Sequence, residues 1–222
     1  MERSPDRERN AARSREAILD AAEQLFADRG YEATSLTDVG AAAGVSRGTP
    51  GYFFGGKEQL YRAVLERCLE RVRQAVRSGR ERALASHEPP EVVLAGVVGE
   101  YFDFILANPA FVRLLEREAL DGGRQIATLP PHLEAAQEAL GAIMSELAFE
   151  PAEHADARQL LISMLSLSWF HVVHAPTVLR ALGINAADPA FLEERRRHVV
   201  SLVVQGLRGR VGGVSAPLGQ GE

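Results

Sequence analysis

Apolar residues in the first third of the chain recur at the spacing of amphipathic helices. The first such pattern spans residues 14–29 and stops at Gly30. A short second pattern over residues 36–43 ends at Gly44, and a third begins after Ser46, whose side chain can cap it. Two short helices joined by a tight turn through glycine are the sequence form of a helix-turn-helix, whose second helix enters a DNA major groove. The pattern therefore predicts DNA binding.

The remainder of the chain is also predicted to be helical, since no segment alternates as a strand does. A long helix is predicted from Lys57 to about Ala85, followed by a linker over residues 86–90. Further helices are predicted at 91–107, 109–120, about 130–147, about 152–174, 176–182 and about 188–206. We therefore expect an all-α protein with an N-terminal three-helix domain, a long connecting helix and a C-terminal helical domain for ligand binding and dimerisation.

The expected boundaries follow from these patterns and from composition. They are a flexible basic arm at 1–13, a helix-turn-helix DNA-binding domain at 14–60, a helical effector-binding and dimerisation domain at 61–210, and a disordered tail at 211–222.

Charge and composition add little to this picture. The net charge is −5, and residues 1–62 hold nine Arg plus Lys against ten Asp plus Glu, so DNA binding rests on the motif rather than on a basic total. The single cysteine, Cys68, suits a reducing compartment. No secretory signal is evident, and no apolar run reaches the roughly 18 residues that a membrane span needs. We expect a cytoplasmic protein without a membrane partner.

The wording of the motif resembles the TetR family of bacterial transcriptional regulators. The likeness runs from Arg15 to about Leu65 and includes the strings DVGAAAGVS and RGT, then an aromatic pair and KEQL. The family usually places an aliphatic residue and a tyrosine where this chain has Pro50 and Gly51. If Ser46 is the cap, Pro50 removes one early amide hydrogen bond, and the recognition helix is expected to be short and distorted.

The resemblance implies an operator of double-stranded DNA bound by nine residues in and beside the motif. They are Thr34, Ser35, Ser46, Arg47, Gly48, Thr49, Pro50, Tyr52 and Lys57. Arg47 can bond guanine or clamp a phosphate. Tyr52 can meet a phosphate or pack under the motif, and Pro50 can pack on a thymine methyl. Thr34 and Ser35 are expected to cap the helix that follows them, and Lys57 to meet a phosphate.

The resemblance also implies a homodimer and a small effector. The predicted dimer surface comprises Leu160, Leu161, Leu165, Val199, Val200, Leu202, Val203 and Leu207, although part of it must close the subunit's own core. The predicted pocket for a hydrophobic or aromatic effector comprises Tyr101, Phe102, Phe104, Phe111, Met144, Met164, Trp169, Phe170, His171 and His174.

Two other classes of protein stay open. One is a helical interaction protein with weakened DNA binding, suggested by Pro50, Gly51 and the acidic balance. The other is a helical enzyme that uses the region of His171, His174 and Glu118. Because no catalytic constellation or phosphate loop stands out, we expect no enzyme and no cofactor. A helical pair of histidines lacks the third ligand of a metal site, so we expect no metal.

Overall fold

The computed structural model describes residues 5–86, 88–129 and 154–211. Contacts divide the chain into two compact units. The first unit is Met1–Gln74 with Ile105–His132, and the second unit is Ala75–Phe104 with Leu133–Glu222. The predicted helix near 130–147, the predicted pocket residue Met144 and the predicted tail from residue 212 onward lie outside the described residues.

The described residues form helices and turns and contain no strand, which confirms the predicted all-α class. The helices are α1 (Pro5–Arg29), α2 (Leu36–Ala42), α3 (Thr49–Phe54), α4 (Lys57–Ser86), α5 (Pro90–Ala107), α6 (Pro109–Leu120), α7 (His154–Val173) and α8 (Pro189–Val211). A single 3₁₀ turn covers Ile126–Thr128 and a π-helical turn covers Ala175–Leu179.

Most helix ends lie beside the glycine, proline and capping residues that mark them in the sequence. Gly30 follows α1 with a φ of 84°, a left-handed conformation that glycine adopts at little cost. Asp188 caps α8 as expected, because its carboxylate accepts the Ala190 amide at 3.0 Å and Pro189 takes the first helical position.

Outside the helix-turn-helix, two predicted elements differ from the structure. Residues 5–13 were expected to be a flexible arm, but they are helical and continuous with α1, whose first residue is a proline. The short helix expected at 176–182 is instead the π-helical turn, in which the Leu179 amide reaches the His174 carbonyl at 3.2 Å. Apolar periodicity is absent from residues 5–13, which explains why the sequence pattern missed their helix.

The first unit buries the apolar stripe that the sequence predicts along α1. Ile18, Ala22 and Phe26 are at most 1% exposed, and α2 adds the fully buried Val39. Tyr61 of α4 stands edge-on to Phe26, with 4.9 Å between ring centroids. Burial of such side chains is the main favourable term in folding this unit.

A buried carboxylate joins α1 to α4. Glu23 is 5% exposed and accepts hydrogen bonds from Arg67 at 2.7 Å and from Arg71 at 2.6 Å. Arg71 also donates to the Sγ atom of Cys68 at 3.2 Å. Burial, followed by the charge of Glu23, raises the pKa of the Cys68 thiol to about 12, so this cysteine stays protonated at neutral pH.

Two polar side chains of the α6 helix make further hydrogen bonds inside the first unit. Glu118 is 3% exposed and accepts from the Tyr61 hydroxyl at 2.9 Å and from the amides of Gln125 and Ile126 at 2.7 and 3.0 Å. Arg117 donates to the carbonyls that end α1, those of residues 27 and 28, at 2.8 and 2.7 Å. These carbonyls have no partner within α1, so the guanidinium satisfies them.

The second unit places part of the predicted dimer surface in its interior. Leu161, Val199 and Val203 are 3%, 0% and 5% exposed, so these three side chains are core residues and not free surface. Leu202 is 46% exposed, whereas Leu160, Leu165 and Val200 are half-buried. The side chain of Leu207 lies outside the described part of the chain.

Candidate DNA-binding surface

The turn between α2 and α3 has the geometry that the glycine signal predicts. Gly44 has a φ of 67°, its amide donates to Ala41 at 3.2 Å, and the Val45 amide donates to Gly40 at 2.9 Å. This pair of bonds is the Schellman motif, which satisfies the last carbonyls of a helix. The turn therefore ends α2 and redirects the chain toward α3.

A capping box begins α2. The Ser35 hydroxyl accepts the Asp38 amide at 3.1 Å, and the Asp38 carboxylate accepts the Ser35 amide at 3.1 Å. The side-chain and backbone hydrogen bonds from Ser35 lower the pKa of Asp38. Ser35 is exposed, so this helix start faces outward.

Thr34 was predicted to cap α2, but in the structure it has a different role. Its side chain is 1% exposed, and its hydroxyl donates to the carbonyls of Gly30 and Leu25 at 2.9 and 3.3 Å. Thr34 therefore neither caps α2 nor offers its hydroxyl to a phosphate, since the hydroxyl already holds the α1–α2 connection. Ser35 alone is the cap.

The α3 helix begins later than the sequence suggested. Ser46 is not its cap: its carbonyl accepts the Thr49 amide at 3.0 Å, and its hydroxyl lies 2.7 Å from the Thr49 hydroxyl. Gly48 is the N-cap, so Pro50 falls in the first turn, where its missing amide costs no helical hydrogen bond. The Tyr52 amide reaches Gly48 at 2.9 Å. The helix is short, as expected, but the proline does not interrupt its bonding.

Pro50 is buried and packs on α2. A Cβ atom added at Gly40 would lie 3.5 Å from Pro50 Cγ and 3.3 Å from the Ser46 carbonyl oxygen, so a glycine at position 40 allows this close approach. The predicted contact between Pro50 and a thymine methyl is therefore wrong, because the ring is enclosed by the motif itself.

The other side of α3 and the preceding turn face outward. Ser46, Arg47 and Gly48 are exposed, and Thr49 is half-buried. Tyr52 is 84% exposed and rests edge-on against Phe53, with 5.4 Å between centroids. Of the two alternatives for Tyr52, packing under the motif is excluded by this exposure.

Lys57, at the first position of α4, is held beside the connection between α1 and α2. Its Nζ atom lies 4.3 Å from the centroid of the Tyr31 ring and donates to the Glu32 carbonyl at 3.2 Å. Arg15 of α1 similarly lies over the Phe54 ring at 5.2 Å. Two cations are thus positioned around the motif by aromatic rings.

The predicted effector residues of the second unit form pairs. Phe102 stacks on His171 with centroids 5.1 Å apart, Phe170 lies 4.5 Å from His174, and Trp169 Nε1 donates to the Tyr101 hydroxyl. Met164 is buried and Phe104 is half-buried. Phe111 is buried in the first unit, so it does not join this set.

Within the described ranges, no three His, Cys, Asp or Glu side chains come together as a metal site would require. No single described helix is long and apolar enough to cross a membrane. Glu91–Ala107 and Pro109–Leu120 reach that length and apolar character only when taken together, and a sharp bend separates them.

A helix-turn-helix on an N-terminal helical unit, followed by a second helical unit, defines the class of ligand-responsive transcriptional regulators that bind DNA. Residues 18–64 match the family model described as bacterial regulatory proteins, tetR family. Residues 90–203 match the model of the tetracyclin repressor-like C-terminal domain. The chain belongs to the TetR family.

Similar proteins cover nearly the whole chain. The transcriptional repressor NicS of Pseudomonas putida is 25% identical over 91% of this chain and 96% of its own length. The structure of the fatty acid degradation regulator FadR of Bacillus halodurans has a TM-score of 0.68 and 17% identity, and covers 94% of this chain and 99% of that one. The structure of LfrR of Mycobacterium smegmatis with proflavine has a TM-score of 0.54 and 21% identity over 88% and 96%.

Proposed function

We propose that this regulator is a cytoplasmic repressor that binds a pseudo-palindromic operator as a homodimer and is released by a small, largely apolar effector. The observation that carries the proposal is the outward presentation of Arg47 and Tyr52 by a motif whose opposite side is buried. The similarity to NicS, which is a transcriptional repressor, supports repression rather than activation.

Arg47 is the proposed base-reading residue. An exposed guanidinium just before the recognition helix can bond O6 and N7 of guanine together. Tyr52 is proposed to donate its hydroxyl to a phosphate. Ser35, at the start of α2, and Lys57, at the start of α4, are proposed to meet phosphates on either side. The exposed Ser46 and Gly48 and the half-buried Thr49 complete the proposed surface.

Dimerisation is proposed through the outward sides of α7 and α8. One helix-turn-helix reads too few base pairs for a specific operator, and a two-fold dimer doubles the site. Ile162 is 55% exposed and Leu202 is 46% exposed. These apolar side chains, with the half-buried Leu160, Leu165 and Val200, are the proposed contact.

The effector is proposed to bind in the second unit, among the aromatic pairs that include Phe102 and Trp169. The α4 helix continues from Lys57 into the second unit, so a ligand that favours one position of α4 can change the spacing of the two recognition helices. Such coupling between two sites is worth about 1–3 kcal/mol in general.

The test is a titration of the DNA upstream of the protein's own gene, at several salt concentrations and against random DNA. We expect two subunits per site and an affinity that falls steeply with salt, since phosphate contacts release counterions. Lys57→Ala should weaken binding to all sequences alike, whereas Arg47→Ala should cost about 1–3 kcal/mol and relax preference at particular base pairs.

Arg180→Gln, an exposed arginine of the second unit, is the matched control and should bind as the wild type does. A uniform loss with Arg47→Ala would make Arg47 a phosphate contact. No preference over random DNA at low salt would refute the proposed function and favour an interaction protein.

A further inference from the structure

Two buried polar side chains of α7 have no partner within the described structure. Ser168 is 0% exposed and His171 is 3% exposed. The Ser168 hydroxyl and both ring nitrogens of His171 make no hydrogen bond. Residues three apart on a helix share a face, so these groups lie together. Burial without a partner costs folding free energy, which favours a ligand that supplies the missing bonds.

His171 is uncharged at neutral pH. Burial, followed by the positive charge of Arg195, lowers the pKa of this imidazole to about 4. The Ser168 backbone carbonyl near the ring has a smaller, opposing effect, but it lies outside hydrogen-bond geometry, so the ring nitrogens stay without a partner. One face of the ring is covered by Phe102, at an interplanar angle of 16°. A neutral imidazole retains one N–H donor and one acceptor.

Arg195 brings a positive charge to the same place. It donates to the Leu167 carbonyl at 2.9 Å, one turn before His171. Its neighbours are paired with carboxylates: Arg196 with Asp103 at 2.8 and 3.0 Å, and Arg197 with Glu193 at 3.8 Å.

Arg195 bonds to a neutral carbonyl and forms no salt bridge with a carboxylate of the described residues, so its charge is not offset there. Burial lowers the pKa of the guanidinium, but arginine keeps its charge in proteins. The half-buried cation thus stands beside two unpartnered polar groups.

We propose that Ser168, His171 and Arg195 form the polar end of the effector site and bind the carboxylate of a small apolar acid. The inference rests on the proposed function and adds a chemical class to it. A carboxylate accepts from the serine hydroxyl, the imidazole N–H and the guanidinium at once, and it alone offsets the charge of Arg195. The buried Phe102 and Met164, on the facing and the same helix, suit an apolar body.

The experiment uses the full chain with benzoate, phenylacetate, hexanoate and octanoate, each compared with its primary amide. Binding is measured by calorimetry and by the rise in unfolding temperature, and the His171 ring nitrogens are followed by NMR. We expect at least one acid to bind about tenfold or more tightly than its amide and to shift the His171 resonances.

Three variants test the assignment. Ser168→Ala should raise the Kd of that acid roughly tenfold, and His171→Phe and Arg195→Met at least as much. Ser168→Ala removes an unpartnered hydroxyl, so without ligand it should unfold at or above the wild-type temperature, which separates lost binding from lost folding. Ser78→Ala and Arg180→Gln, exposed residues of the same unit, are the controls and should leave the Kd unchanged.

Equal binding of acids and amides, or no binding of any acid to the wild type, would overturn the proposal. So would a Kd that Ser168→Ala and Arg195→Met leave unchanged. Operator binding by the wild type without probe is measured separately, so failure here and failure of the proposed function give different results.

Discussion

The two units differ in how they treat buried polar groups. In the first unit, the carboxylates of Glu23 and Glu118 and the hydroxyl of Thr34 all meet partners of matching chemistry. Among the described residues of this unit, the unpartnered buried side-chain atoms are Nε atoms of arginines whose terminal nitrogens are bonded. In the second unit, Ser168 and His171 have no partner for any side-chain polar atom within the described part of the chain.

This difference fits two kinds of recognition. A surface that reads DNA must hold its side chains in one arrangement, and an interior whose buried carboxylates are hydrogen-bonded helps to fix that arrangement before the DNA arrives. A site for a small molecule has to keep some bonding capacity unused, because the ligand supplies the rest. The interior of each unit thus suits the kind of binding proposed for it.

The largest expected effect is the loss of stability when a buried hydrogen-bonded carboxylate of the first unit is removed. Glu23→Gln removes the charge that Arg67 and Arg71 share, so it should lower the free energy of unfolding by about 3 kcal/mol. Urea denaturation measures the change. Glu16→Gln is the matched control: Glu16 contacts Arg67 at 3.3 Å but its side chain is 57% exposed, and such pairs contribute less than about 1 kcal/mol. Equal losses in the two variants would contradict the importance of the buried carboxylate.

The next largest effect is the loss of stability at acid pH that the buried His171 of the second unit causes. The folded-state pKa of His171, about 4, lies below the value near 6.5 of an unfolded chain, so unfolding takes up a proton between them. The stabilisation is complete above about pH 6.5 and is lost as the pH falls through 4, on the order of 2 kcal/mol. His171→Phe should remove this part of the acid dependence in urea titrations. Parallel curves for wild type and variant from pH 7 to 4 would show that His171 is not buried uncharged.

The smallest expected effect is the loss of stability when the exposed Ser35 cap of α2 in the first unit is removed. Ser35→Ala deletes the cap of α2 and should cost about 1 kcal/mol in thermal or urea unfolding. Ser35→Asp keeps an oxygen acceptor at the cap and should stay near the wild type. A Ser35→Ala protein as stable as the Asp variant would mean that the capping box adds nothing.

Helix positions could be predicted from sequence where glycine and proline mark the ends. Gly30, Gly44 and Pro109 each stand beside a boundary that the structure reproduces. The start of α3 could not, because a proline is compatible with the second or the fourth helical position, and only the bond from Thr49 to Ser46 decides between them. The burial of Thr34 likewise depends on α1, which the local sequence does not contain.

The sites of the second unit were harder to predict. The α7 helix is apolar on nearly all sides, so periodicity cannot tell the buried Leu161 from the exposed Ile162. Ser168 and Arg195 were missed for related reasons. A serine within an apolar helix is usually bonded to its own backbone, and one arginine among three in a row has no distinguishing signal. Their proposed role rests instead on the buried atoms that have no partner among the described residues and on the bond of Arg195 to a carbonyl.

The brevity of α3 limits how much sequence information one subunit can extract. Six residues at a rise of 1.5 Å make an element about 9 Å long, while each base-pair step advances about 3.4 Å. Such an element spans fewer than three steps. Base contacts from α3 itself are then few, and in the proposed dimeric complex the distance between half-sites and the stiffness of the intervening duplex add to the discrimination that Arg47 supplies. Lengthening or shortening the spacer by one base pair should lower operator affinity more than most single base-pair substitutions do.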